Sequence, residues 1–105
     1  MLEIKDILSY FRTQIESLYG PRLKSVVLFG SWARNEATEN SDVDLAVVLD
    51  GNVAPGQEID AMIDIITETN LKYDTLLSVY PVSENDYRNL NSPILRNIRA
   101  EGVAA

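Results

Sequence analysis

The chain has 105 residues with a net charge of −7, and it contains neither cysteine nor histidine. A metal would therefore be held by oxygen ligands, which favours Mg²⁺, Mn²⁺ or Ca²⁺ over Zn²⁺. The acidic balance argues against direct nucleic-acid binding, because that binding depends on Lys and Arg at phosphates.

Apolar spacing in the first half of the chain predicts one helix and two strands. Apolar residues recur at helical spacing over residues 3–19, and Gly20-Pro21 ends that helix. The runs Leu23–Phe29 and Val43–Leu49 are apolar at nearly every position, which is typical of strands buried on both faces. Between them we expect a short helical turn over residues 31–35, followed by a polar loop.

The second half of the chain predicts a helix, a third strand and two further short helices. The helix begins near Ile59, with apolar residues at helical spacing, and runs to about Asn70. The third strand is predicted over Asp74–Tyr80. Pro81 closes it, Ser83 caps a short helix, and Ser92-Pro93 begins the last one, which Gly102 ends. The overall order is α-β-β-α-β-α, an α/β (α+β) class of fold.

The directions of the strands follow from where polar residues must meet. If Gly30 and Ser31, which follow the first strand, lie beside Asp42 and Asp44, which open the second, those strands are antiparallel. The second and third strands form a strand–helix–strand unit and should be parallel with a right-handed crossover. We therefore expect a small mixed sheet flanked by helices, with Asp74 at the same edge as the acidic pair.

The acidic pair is a candidate metal site. Asp42 and Asp44 are two residues apart on a strand, so both carboxylates point to one side, and Val43 and Leu45 point to the other. Two such carboxylates repel each other unless a cation lies between them. Taken alone, however, an Asp-x-Asp pattern is more often a solvated start of a strand.

The Gly30-Ser31 turn is a candidate phosphate site. A residue without a Cβ lets a phosphate approach backbone N–H groups closely. The same two residues are also compatible with a plain strand-to-helix turn in which Ser31 is the N-cap. Arg34, one turn later, could pair with a phosphate or with an acidic loop residue, and the sequence leaves both roles open. Trp32 is interpreted as a packing residue.

Together these motifs resemble a known family. Val27–Arg34 followed by Ser41–Leu45 is similar to the minimal nucleotidyltransferases, or MNT proteins, of the DNA polymerase β superfamily, and Ile98–Val103 resembles their usual ending. The resemblance covers nearly the whole chain. One departure is Asn35, where the family often has Gly; it could change phosphate contacts but removes no carboxylate.

The resemblance implies a nucleotidyltransferase fold, ATP as substrate and two Mg²⁺ ions. Attack would fall on the α-phosphorus of ATP, and pyrophosphate would leave. It implies that Gly30 and Ser31 hold the nucleotide phosphates, and Arg34 and Ser41 are further candidate contacts to the nucleotide. The carboxylates it implies as metal ligands and catalytic groups are Asp42, Asp44 and Asp74, the last of which would also help to deprotonate the attacking hydroxyl.

The same resemblance implies a partner. MNT proteins often act as antitoxins that bind a HEPN toxin and transfer AMP to one of its tyrosines. Two other functions stay open: a binding module that neutralises its partner by occlusion, and transfer to a small acceptor. Residues 1–105 are expected to form one domain in the cytoplasm, because the sequence has no signal-peptide core and no apolar run of membrane-spanning length.

Overall fold

The computed structural model describes residues 4–105. Its helices are α1 (Ile4–Tyr19), α2 (Gly30–Ala33), α3 (Pro55–Tyr73), α4 (Glu84–Asn89) and α5 (Pro93–Glu101), with a 3₁₀ turn at Gly20–Arg22. Its strands are β1 (Leu23–Phe29), β2 (Val43–Leu49), β3 (Leu77–Ser83) and β4 (Val103–Ala104). No helix in this part of the chain is long and apolar enough to cross a membrane.

The strands form one mixed sheet in the order β3-β2-β1-β4. The predicted directions are confirmed: β1 is antiparallel to β2, and β2 is parallel to β3. In this arrangement the end of β1 and the start of β2 lie at the same edge, with Phe29 paired to Asp44. The Gly30-Ser31 turn and the acidic pair therefore meet, as the sequence predicts.

Each face of the sheet buries its own apolar cluster. One face packs against α1 and α3 through residues that include Val43, Leu45 and Met62. The other face carries Ala46 and Val48 and packs against α5. Because side chains alternate along β2, Asp44 lies on the α5 face, at the edge where that apolar cluster ends.

The predicted bounds of the third strand are wrong. Helix α3 continues to Tyr73, and β3 begins at Leu77 rather than at Asp74. Pro81, which was expected to close the strand, lies within it. A proline is tolerated there because β3 is an edge strand, where only one side of the backbone needs hydrogen-bond partners.

No pattern in the sequence predicts the short strand β4, which pairs with β1 through Val27 and Leu28. Gly102 makes this return of the chain possible. A Cβ built there would overlap the carbonyl oxygen of Ile98 and the side chain of Val27. The C-terminal segment is thereby held against the end of β1 that leads into the Gly30 turn.

A buried carboxylate joins the first helix to α3. Glu58 is 8% exposed. Its Oε1 accepts a hydrogen bond from the Tyr19 hydroxyl at 2.9 Å, and its Oε2 forms an ion pair with Arg22 Nη2 at 3.1 Å. Arg22 also donates from Nε to the Asp50 carbonyl at 3.0 Å. Burial, followed by the hydrogen bond to Glu58, raises the pKa of Tyr19 well above its ordinary value.

Replacing Glu58 should destabilise the fold without involving the candidate site. Glu58→Ala leaves the Tyr19 hydroxyl and Arg22 without their acceptor, so we expect it to lower the free energy of unfolding by about 2 kcal/mol. The loss is moderate because the half-exposed Arg22 is partly screened by water. Urea denaturation measures this loss. Glu16→Ala, which removes the exposed Arg12–Glu16 pair, is the matched control and should cost about 0.3–0.5 kcal/mol. Equal losses for the two variants would contradict the role of Glu58.

Candidate active site

The centre of the site is the contact between Gly30 and Asp44. Gly30 follows β1 and has a φ of +73°, a conformation that disfavours residues with a Cβ. A Cβ built at Gly30 would overlap the carboxylate oxygen of Asp44. Glycine is therefore required here twice, for its backbone conformation and for the space that the carboxylate occupies.

Asp42 lies one residue before β2 and is exposed, whereas Asp44 is half-buried. Burial first, and then the neighbouring Asp42 carboxylate, raise the pKa of Asp44 above its ordinary value, and Arg34 partly opposes them. The two carboxylates are thus close enough to repel each other. Two hard oxygen donors in this relation suit a small divalent cation, which would relieve the repulsion.

Arg34 is held by two carboxylates. Its Nε donates to Glu36 Oε2 at 3.2 Å, and its Nη1 donates to both carboxylate oxygens of Glu101, at 3.1 and 3.2 Å. Both roles that the sequence left open for Arg34 remain relevant, because it pairs with an acidic loop residue and still lies at the turn. These ion pairs are the main causes of the raised Arg34 pKa, with the hydrogen bond to Glu36 as the largest.

Glu101 is a residue of this site that sequence reasoning missed. Its Oε1 also accepts a hydrogen bond from the Gly30 backbone N–H at 3.1 Å. Its charge contributes to the raised pKa of Asp44. Glu101 belongs to the Ile98–Val103 segment that resembles the ending of MNT proteins, and this was the only indication of a role. The resemblance did not indicate which residues the Glu101 carboxylate would contact.

The loop before the acidic pair is closed by its own residues. The Ser41 hydroxyl accepts from the Thr38 N–H at 3.0 Å, and the Trp32 indole Nε1 donates to the Ser41 carbonyl at 3.2 Å. Trp32 also packs against the core, in agreement with its interpretation as a packing residue. The Ser41 side chain thus shapes the loop, and its contact with a nucleotide stays a prediction.

Asn35 adopts a left-handed conformation, with a φ of +61°. Asparagine is one of the few residues with a side chain that visits this region readily. The departure from the family's glycine is therefore accommodated by the backbone of this loop.

Asp74 does not open a strand. It is the C-cap of α3 in a left-handed conformation, with a φ of +49°. Because β3 starts later than predicted, the residue that pairs with Asp44 on β3 is Ser78, which is exposed and carries no charge. Within residues 4–105 no three His, Cys, Asp or Glu side chains gather into a group that could hold a metal.

Asp74 nevertheless shares a groove with Asp42. The groove has a volume of about 810 Å³ and runs between the loop that ends at Asp42 and the segment from Lys72 to Leu76. Gly30, Ser31 and Asp44 do not line it. The site therefore has two parts: the turn with Asp44, Arg34 and Glu101, and an open groove that Asp42 and Asp74 line.

Solved structures share this fold. A toxin–antitoxin complex with AMP-PNP superposes with a TM-score of 0.63 at 17% identity, covering 90% of this chain and 68% of that chain. A variant of the toxin–antitoxin MntA-HpeT superposes with a TM-score of 0.64 at 19% identity, covering 100% of this chain and 72% of that chain. At these identities the similarity shows the fold alone.

Sequence comparison identifies closer relatives and the family. The protein named "Putative protein adenylyltransferase MJ0604" of Methanocaldococcus jannaschii is 36% identical over 93 residues, which are 88% of this chain and 87% of the relative. The protein named "Putative protein adenylyltransferase MJ0141" of the same organism is 35% identical over 77 residues, which are 73% of this chain and 77% of the relative. The family described as "Nucleotidyltransferase domain" matches residues 8–98. The chain therefore belongs to the nucleotidyltransferase domain family and is a nucleotidyltransferase.

Proposed function

We propose that the protein transfers AMP from ATP to a tyrosine hydroxyl of a HEPN toxin in a Mg²⁺-dependent reaction, and that it is the antitoxin of that pair. The observation that carries the enzymatic part is the contact between Gly30 and Asp44 with Asp42 beside it. This contact sets the Asp44 carboxylate, with Asp42 two residues away, against a backbone turn that a phosphate can approach. The names of the curated relatives support protein as the acceptor.

The roles of the residues follow from their positions. Asp42 and Asp44 would hold Mg²⁺, and Ser31 and Arg34 would bind the phosphates of ATP. Gly30, whose N–H is held by Glu101, would leave room for the phosphates because it has no Cβ. When bound, Mg²⁺ supplies charge neutralisation on the phosphates and stabilises the attacking and leaving oxygens. In the transfer, the bond from the tyrosine oxygen to the α-phosphorus forms, and the bond from that phosphorus to pyrophosphate breaks.

The hydroxyl proton needs an acceptor on the side opposite the leaving pyrophosphate. Asp42 and Asp74 line the same groove, which the residues of the Gly30-Ser31 turn do not line. We assign Asp74 to this proton and to the third metal-ligand position, with the acceptor tyrosine entering through the groove. Ser41, in the loop between groove and turn, would contact the nucleotide.

A protein partner fits the charge of the chain. The net charge of −7 would speed association with a basic surface. The two solved structures described above are toxin–antitoxin assemblies, which supports a toxin as the partner of this chain as well. A partner would also supply the orientation of its own hydroxyl, which is a large part of the rate enhancement in such reactions.

The test is co-expression with candidate HEPN toxins, encoded by neighbouring genes, followed by intact mass spectrometry of the toxin. We expect the toxin to gain the mass of whole AMP units, located on a tyrosine, when ATP and Mg²⁺ are supplied to the purified pair. EDTA should abolish the gain. A gain of mass that persists in EDTA would contradict the metal dependence.

One observation favours a second candidate function. The absence of a three-carboxylate cluster within residues 4–105 is compatible with a module that neutralises its partner by occlusion. In that case the toxin would be neutralised in a stable complex with no gain in mass. The same outcome with the Asp42→Asn variant would establish occlusion in place of AMP transfer.

A further inference from the structure

Glu101 joins the C-terminal helix to the candidate site. It is the last residue of α5 and lies 71 positions from Gly30, yet its carboxylate accepts from the Gly30 N–H and from Arg34. Its side chain is 24% exposed, so it is largely sheltered from water. A charge-assisted hydrogen bond of this kind is about twice as strong as a neutral one.

The backbone on both sides of Glu101 is fixed. Before it, Leu95 and Ile98 of α5 are fully buried against the sheet. After it, Gly102 passes against Val27, and β4 pairs with β1. The Glu101 side chain therefore extends to the turn from a backbone that is packed on both sides, and not from a loop.

The geometry at Arg34 leaves one end of the guanidinium open. Nε is taken by Glu36 and Nη1 by Glu101, whereas Nη2 makes no hydrogen bond to any atom of residues 4–105. A planar guanidinium held at two of its nitrogens has little freedom left, so the direction of the third is set. Arg34 can thus contact a phosphate while both ion pairs persist.

We propose that Glu101 is a positioning residue for the polyphosphate of the nucleotide. It fixes the Gly30 peptide and the Arg34 guanidinium together, so that Nη2 of Arg34 and the turn meet the β- and γ-phosphates in one geometry. This inference rests on the proposed function, because it takes a nucleoside triphosphate as the ligand. It adds a residue from the far end of the chain to the site.

Calorimetry with Mg²⁺·ATP and with Mg²⁺·AMP tests the proposal. Glu101→Gln keeps the size of the side chain and an oxygen for Gly30 but loses the charge that holds Arg34. We expect its Kd for ATP to rise about tenfold, the loss of one charge-assisted contact. Its Kd for AMP, which lacks the β- and γ-phosphates, should stay within about twofold. General destabilisation would weaken binding of both nucleotides.

Glu84→Gln is the matched control. Glu84 is also in an ion pair, with Arg88 of the same helix, at a distance of 3.3 Å. Glu84 lies on α4, which follows the end of β3 that is paired with Leu49 and is distant from Asp44. We therefore expect Glu84→Gln to bind ATP and AMP with the Kd values of the wild-type chain. Amide hydrogen exchange at Gly30, measured by NMR without nucleotide, should be faster in Glu101→Ala than in the wild-type chain.

Three results would overturn the inference. Equal or tighter ATP binding by Glu101→Gln would mean that the carboxylate only occupies the phosphate position and is displaced by the ligand. Unchanged exchange at Gly30 in Glu101→Ala would show that the contact does not hold the turn. No binding of Mg²⁺·ATP by the wild-type chain would refute the proposed function as well, whereas the first two results leave that function standing.

Discussion

Asp42→Asn and Asp44→Asn should each reduce AMP transfer by about a thousandfold, which corresponds to several kcal/mol of lost stabilisation by the metal. An amide keeps the shape of the side chain but is a much poorer ligand for Mg²⁺ than a carboxylate. Transfer is measured by the mass gain of the partner over time, and folding by thermal denaturation. A variant with a much lower melting temperature would show that the residue is structural.

The metal-free Asp44→Asn protein should melt at a higher temperature than the wild type at neutral pH. Burial and the Asp42 carboxylate raise the pKa of Asp44 in the folded state. The folded chain therefore binds this proton more tightly than the unfolded chain does, so the associated stability is present at acid pH and is lost as the pH rises through the raised pKa. At neutral pH the Asp44 charge opposes folding, and the substitution removes it.

Two further aspartate variants serve as comparisons. Asp64→Asn changes an exposed carboxylate within α3 and should leave transfer unchanged. Asp74→Asn is informative because asparagine also tolerates the left-handed conformation of this C-cap, so the fold is not disturbed. A loss of transfer comparable to that of Asp42→Asn would support its assignment as the third acid, and full activity would refute it.

Gly30→Ala is the second change with a large expected effect. The new Cβ would displace the carboxylate of Asp44, and a displacement of about 1 Å at a reacting centre can cost about a hundredfold in rate. The left-handed backbone adds a loss of stability of about 1–2 kcal/mol. Transfer rate and urea denaturation are the two measurements.

Gly51→Ala separates these two effects. Gly51 has a φ of +80°, close to that of Gly30, but a Cβ built there meets no atom within 4 Å. It follows β2, at the end of the strand away from Asp44. We expect the same loss of stability with no loss of transfer. If both variants lost transfer equally, backbone strain and not the displaced carboxylate would be the cause.

Several features of this protein could be read from local sequence. The apolar runs of β1 and β2 placed both strands with correct bounds, because strands buried on both faces leave little ambiguity. The need to bring Gly30 beside Asp44 fixed the directions of β1 and β2, and the strand–helix–strand unit fixed that of β3. These conclusions depend on neighbouring residues and on general rules of chain geometry, which a sequence contains.

Other features were decided by tertiary structure. Helix α3 ends where Asp74 adopts a left-handed C-cap conformation. Several polar residues near this point could have served as the C-cap, so the sequence does not determine where α3 ends or where β3 begins. Strand β4 forms only because α5 docks on the sheet and returns the chain to β1. The contact of Glu101 with Gly30 and Arg34 depends on that docking, since periodicity describes residues a few positions apart. Periodicity therefore carries no information on the contact between Glu101 and Gly30, which are 71 positions apart and meet only when α5 packs on the sheet.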